Sequence, residues 1–144
     1  MSTTHIPAAL RRLVEERAAF RCEYCLLPTT VAFLRPHEAD HIVAEKHGGA
    51  TEAENLALAC WRCNRHKGTD LASFDPKIGD LTRLFNPRTQ LWCTHFRPEG
   101  AKLVDITAEG RTTVRLLRLD TPERTIERQR MIILGQYSPP SDQL

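Results

Sequence analysis

No stretch of this sequence is apolar for long enough to span a bilayer, and its N-terminal segment has no uninterrupted apolar core followed by a small-residue cleavage site. The expectation is therefore a cytoplasmic protein without a membrane partner. Charge of one sign is also scarce, 20 Lys and Arg standing against 18 Asp and Glu for a net +2, too small an excess to identify nucleic acid as a partner by itself. There is no internal repeat, no low-complexity tract and no flexible linker long enough to separate independent domains. With 41% hydrophobic and 26% charged residues the composition is that of a folded globular chain. One domain over 1–144 is expected, with a core at 7–69 and a packing extension at 70–136.

Five cysteines in such a chain do not suggest a disulfide framework, because a reducing compartment turns paired cysteines towards metal binding. Four of them form two CxxC pairs, Cys22 with Cys25 and Cys60 with Cys63. Two such pairs are what four thiolates around one tetrahedral Zn2+ require, whereas a redox CxxC needs one reactive pair and no second. The long interval between the pairs must fold so that both turns reach one ion. Cys93, among the apolar residues of LWCTHF, is expected to be a small buried hydrophobe.

Local patterning gives the elements. Apolar positions from Pro7 to Phe20 recur at helical spacing, with Pro7 suited to the first turn. TTVAFLRPHEADHIVA has strand composition broken near Pro36 and predicts a hairpin between the cysteine pairs. Gly48 and Gly49 mark a turn, and Thr51 with Glu54 has the form of a capping box opening one helical turn before Asn55. LALAC fits either strand or helix, and CWRCNRHKGT leads into a short helix ended by Gly68. Beyond Asp70, QLWCTHF and AKLVDI have strand composition. Thr107 and Thr121–Pro122 are positioned to cap two helices, the second running to about Leu134. The closing SPPSDQL is expected to fray.

Arg62, Arg65 and Lys67 form a basic run without an acid, suited to phosphates, whereas Arg111, Arg115 and Arg118 at helical spacing suggest a solvated helix face. His5, His47 and His95 are expected to be ordinary exposed polar residues.

Between and beside the cysteine pairs lie Asp40–His41, the glycine pair, Asn55–Leu56, and Asn64, His66, Lys67 and Gly68. In this order RCEYC, ADHIVAEKHGGATEAENLALAC and CWRCNRHKGT resemble the HNH endonuclease family, in its zinc-binding bacterial subgroup. LFNPR, QLW, HF, GR and LRL resemble, more weakly, a C-terminal extension of that subgroup. The resemblance implies an α+β fold: a small ββα-metal (His-Me finger) nuclease core stapled by a four-cysteine zinc site, with an N-terminal helix and a C-terminal strand and helix extension.

It also implies the chemistry. Phosphodiester hydrolysis needs a water, a base to deprotonate it, and positive charge on the transition state. An imidazole can be that base at physiological pH, and the resemblance assigns the part to His41. Asp40 and Asn64 are then the expected ligands of a catalytic Mg2+ or Mn2+, which keeps several waters. Asn55 would hold the loop that orients His41. Arg62, Arg65 and Lys67 would meet neighbouring phosphates of DNA, His66 is a substitute metal ligand, and His37, four residues before His41, is near enough to reach metal or substrate. For Asp40 and His41 to address one phosphate the strand must end or bulge there, since alternation sends neighbours to opposite faces. The chain could act as a monomer or a homodimer. The alternative in a different class is a zinc-stapled DNA-binding or interaction module without catalysis.

Overall fold

The computed structural model describes residues 4–32 and 34–139, so most of the terminal SPPSDQL lies outside the described residues. Contacts divide the chain into two units, Met1–Leu71 and Ala72–Leu144, each with its own helices and strands. Both are mixtures of helices and small antiparallel strand pairs, so the fold is α+β. No helix of the described residues is long and apolar enough to cross a membrane.

The first unit opens with α1, Ala8–Arg17, which Pro7 precedes as its cap residue. Two strands follow, β1 (Glu38–His41) and β2 (Leu56–Ala59), and then the short helix α2 (Trp61–Lys67). The strands pair antiparallel with Asp40 opposite Ala57 and His41 opposite Leu56. Thus a strand pair does fill the interval between the cysteine pairs, but not within TTVAFLRPHEADHIVA: Thr29–Val31 is a 3-10 turn, and β1 takes its partner from LALA, which is strand. All four residues of β2 are buried, whereas Thr29, Thr30, Val31 and Ala32 keep contact with solvent. Pairing β1 with LALA is therefore the choice that removes more apolar surface from water. Val14 and Ala18 of the N-terminal segment pack with Ile6, Leu56 and Leu58 to make the core, joined at its margin by Leu10 and Ala39.

Helix α1 is also tied by polar contact, because the Arg17 guanidinium donates to the carbonyl of Leu56. The edge of β2 away from β1 is occupied by the first cysteine turn: Glu23 N donates to the Leu58 carbonyl at 2.8 Å, and Leu58 N donates to Glu23 Oε2 at 2.8 Å. One loop residue thereby caps both exposed backbone groups of Leu58, as an edge strand needs.

The second unit contains β3 (Ala72–Phe74) paired with β4 (Leu81–Arg83), α3 (Trp92–His95), and β5 (Phe96–Glu99) paired with β6 (Lys102–Asp105). Two helices close it, α4 (Ala108–Leu117) and α5 (Pro122–Ile133). Thr107 and Thr121 are their caps, accepting from Gly110 N and Arg124 N. QLWCTHF is not one strand, since WCTH makes a helical turn before β5 begins. The arginine face is not wholly solvated either. Arg111 makes a two-pronged bond to Asp75 through Nε at 2.9 Å and Nη2 at 2.6 Å, while Arg115 and Arg118 are exposed. His95 is buried beside Phe85 and Phe96, with Nδ1 on Thr107 Oγ1, so it is a packing residue and not an exposed one. Cys93 is half-buried.

Candidate active site and zinc centre

The two cysteine turns converge. Sγ atoms of Cys22, Cys25, Cys60 and Cys63 all lie within 4.8 Å of one another and all four residues are buried. Cys25 and Cys60 are 3.7 Å apart, against an edge of about 3.8 Å for a tetrahedron with Zn–S bonds of about 2.3 Å. Cys63 N points its hydrogen at Cys60 Sγ, as a thiolate acceptor at a helix start favours. Burial pushes the Cys22 and Cys63 thiols well above the ordinary range; a divalent cation reverses that preference because it binds the thiolate. The donor set therefore suits a structural zinc, held by two turns that the fold brings to one point.

Asp40 and His41 line one cavity of about 580 Å3, together with Asn64, Glu38 and His37. Both belong to β1 in unbroken register with β2, and both line this space. His41 is only 3% exposed, and its Nε2 lies 2.8 Å from Thr51 Oγ1. Thr51 is therefore not a helix cap. The 3-10 turn Ala53–Asn55 starts after Glu52 without a side-chain cap, and the hydroxyl serves the histidine instead.

Asn55 fastens the loop that carries Thr51. Its Oδ1 accepts from Val43 N at 2.9 Å, and its Nδ2 donates to the carbonyls of Val43 and Ala50 at 2.9 and 2.8 Å. Gly49 completes this clasp. A Cβ there would lie 1.7 Å from the Val43 carbonyl oxygen and 2.8 Å from Asn55 Nδ2, so the second glycine of the pair is required by close approach, whereas the first, Gly48, has the positive φ of the turn.

Lys67 takes a different place from the expected one. It is 2% exposed, with Nζ donating to the carbonyls of His41 and Ile42 at 3.1 Å each and lying 3.6 Å from Asp40 Oδ2. An ammonium so enclosed holds the end of β1 and is not presented to phosphate. Burial pushes the Asp40 carboxyl up and the Lys67 amine down, in each case against the attraction of the other. Desolvation thus outweighs pairing on both sides.

Asp40 Oδ2 is buried and has the Lys67 ammonium at 3.6 Å but no partner at hydrogen-bond distance, which leaves it room to accept a cation. Asn64 gives Nδ2 to Glu38 Oε2 at 3.2 Å, so its amide oxygen is the ligand atom it can offer. The pair fits a hard, oxygen-preferring cation. His37 is buried with Nε2 on the Leu27 carbonyl at 2.8 Å, tying β1 to the first cysteine turn. His66 is half-buried on α2 and does not line the cavity. Arg65 is exposed and Arg62 half-buried.

Residues 22–70 match the HNH endonuclease family. The HNH segment thus spans both cysteine turns, β1, β2 and α2, about a third of the chain, and the family it matches is one of endonucleases. No curated protein and no solved structure matches the chain.

Three residues at the HNH site escaped the sequence reading. Glu38 stands two positions before Asp40 in the same strand, so period-two alternation already carried its signal. Thr51 was hidden by a stronger local motif. Tyr24, buried inside the first cysteine turn, has its phenol pushed well up by burial and then by the Asp40 charge; nothing in RCEYC indicates that proximity.

Proposed function

We propose that the first unit is a metal-dependent endonuclease that hydrolyses phosphodiester bonds in DNA, with His41 as general base. The observation that carries this reading is the shared cavity of Asp40, His41 and Asn64, in which one imidazole nitrogen is already engaged by Thr51.

Of the two tautomers this contact allows, the one that donates Nε2–H to Thr51 Oγ1 leaves the lone pair on Nδ1, and that is the nitrogen that would accept a proton from water. Lys67 fixes the backbone on which His41 sits, and Asn55 fixes the loop on which Thr51 sits. Neither needs to touch substrate. Asp40 and Asn64 would hold a Mg2+ or Mn2+, which when bound supplies positive charge to the scissile phosphate and the leaving oxygen. Arg65, exposed on α2, would meet a neighbouring phosphate and strengthen binding without selecting sequence.

The test is nicking of supercoiled plasmid with added Mg2+ or Mn2+, comparing wild type with His41→Ala. A fall of about 100-fold or more is expected for removal of a general base. Equal activity in the two proteins defeats the mechanism, and DNA binding without cleavage in the wild type would favour a non-catalytic module.

A further inference from the structure

On the other side of the Glu38–Asn64 contact lies a second groove, of about 530 Å3. Pro36, Glu38 and Asn64 line both this groove and the cavity of His41, so the two are continuous along one edge of β1 and α2. Trp61, half-buried, forms part of the wall. The Arg35 guanidinium lies 4.3 Å above the centroid of its ring and that of Arg65 lies 5.9 Å away. Both arginines are exposed, and Leu34 at the lip is 96% exposed.

Among the described residues that line the groove, Glu38 is the single carboxylate, and it is already bonded to Asn64. Arg35 already covers the indole, so the surface offers an exposed guanidinium backed by an aromatic ring, a platform that joins stacking to positive charge and so suits a nucleotide whose base is not paired. A base inside a duplex has both faces covered by neighbours and cannot use it. The carboxylate of Glu38 disfavours a phosphate on its own wall, so the phosphate would lie on the arginine side.

We propose that this groove binds an unpaired nucleotide of the DNA strand whose neighbouring phosphodiester enters the His41 cavity, and so directs the enzyme to single-stranded, flapped or gapped DNA. The inference rests on the nuclease reading for the strand's path, and on Trp61, Arg35 and Arg65 for the site itself. Arg35 and Trp61 hold the base; Arg65 meets the phosphate.

The experiment is fluorescence anisotropy on the full chain, without added Mg2+ or Mn2+, using a short labelled oligothymidylate and the same strand annealed to its complement. Arg35→Ala and Trp61→Leu should each lower the ratio of single-strand to duplex affinity about tenfold, within the range that one base–aromatic stack contributes. Trp61→Phe should keep most of it. Since Trp61 adjoins Cys60, Trp61→Leu is scored in protein that retains its zinc, and Arg35→Ala, on an exposed segment, decides the matter alone. An unchanged ratio in Arg35→Ala overturns the proposal. Cleavage of single-stranded and duplex oligonucleotides at equal rates with added Mg2+ would sink this inference and leave the nuclease reading intact, whereas selective single-strand binding without any cleavage would overturn the nuclease reading and leave the groove as a binding site.

Discussion

Thr51 and His41 are ten residues apart in the chain and in hydrogen-bond contact, so the hydroxyl occupies one of the two imidazole nitrogens. Thr51→Val keeps the shape and removes the bond. We expect kcat for plasmid nicking to fall about tenfold with KM little changed, since the lost interaction orients a base and binds no substrate. Thr51→Ser should restore most of the rate. An undiminished rate in Thr51→Val would show that the hydroxyl has no part in orienting His41. Lys67 and Arg65 form a second contrast, because both belong to the basic run yet only one is exposed. Arg65→Ala should reduce the slope of log affinity against log salt by about 0.9, the amount for one released counterion on duplex DNA. Lys67→Ala should leave that slope alone and instead destabilise the protein by about 3 kcal/mol, because it strands a buried carboxylate and two carbonyls. A salt slope changed equally by both substitutions would return Lys67 to the phosphates.

Among the elements, α4 is held by an ion pair within the second unit. Asp75, 1% exposed, takes both prongs of Arg111 and a backbone bond from Lys77. The Arg111 guanidinium is the main reason its carboxyl is held down to about 2. A carboxyl whose folded-state pKa lies below its ordinary 3.8 stabilises the fold above that value and loses the effect as pH falls through about 2. Asp75→Asn should therefore reduce amide-exchange protection in α4 most near neutrality, and the gap from wild type should close in acid. A gap that does not vary with pH would mean that the pair contributes by shape and not by charge. Strand β2 is the corresponding element of the HNH segment. Buried throughout, it receives β1 on one edge and Glu23 on the other, and so fixes both His41 and the first cysteine turn.

For the whole molecule, the division into two units has an energetic consequence. All four zinc-suited cysteines belong to Met1–Leu71, whereas Ala72–Leu144 has its own ring cluster around Phe85, Trp92 and Phe96. A metal bound by residues that an unfolded chain does not bring together contributes directly to folding. Purified protein should carry about one tightly held Zn2+, and a strong chelator should abolish amide protection in α1 and β2 while α4 and α5 keep theirs. Protein that stays protected throughout after losing its metal would show that zinc is not structural.

Much of the HNH site was legible in the chain because its chemistry is carried by short spacings. Two CxxC pairs, Asp40 beside His41, and Asn64 directly after Cys63 specify donors whose neighbours along the backbone are fixed by covalent geometry, and Thr107 and Thr121 announce their helices in the same way. The sequence determined which groups are present, with four thiolates suited to zinc among them. Only the tertiary structure decided how those groups are shared out: Thr51 to His41 instead of a helix cap, Lys67 to buried carbonyls instead of phosphate, Arg111 to Asp75 instead of solvent, Arg35 to Trp61. Each of these side chains has several local uses of nearly equal energy, and the choice among them falls to partners 10 to 36 residues away, which come within reach only after the chain has folded.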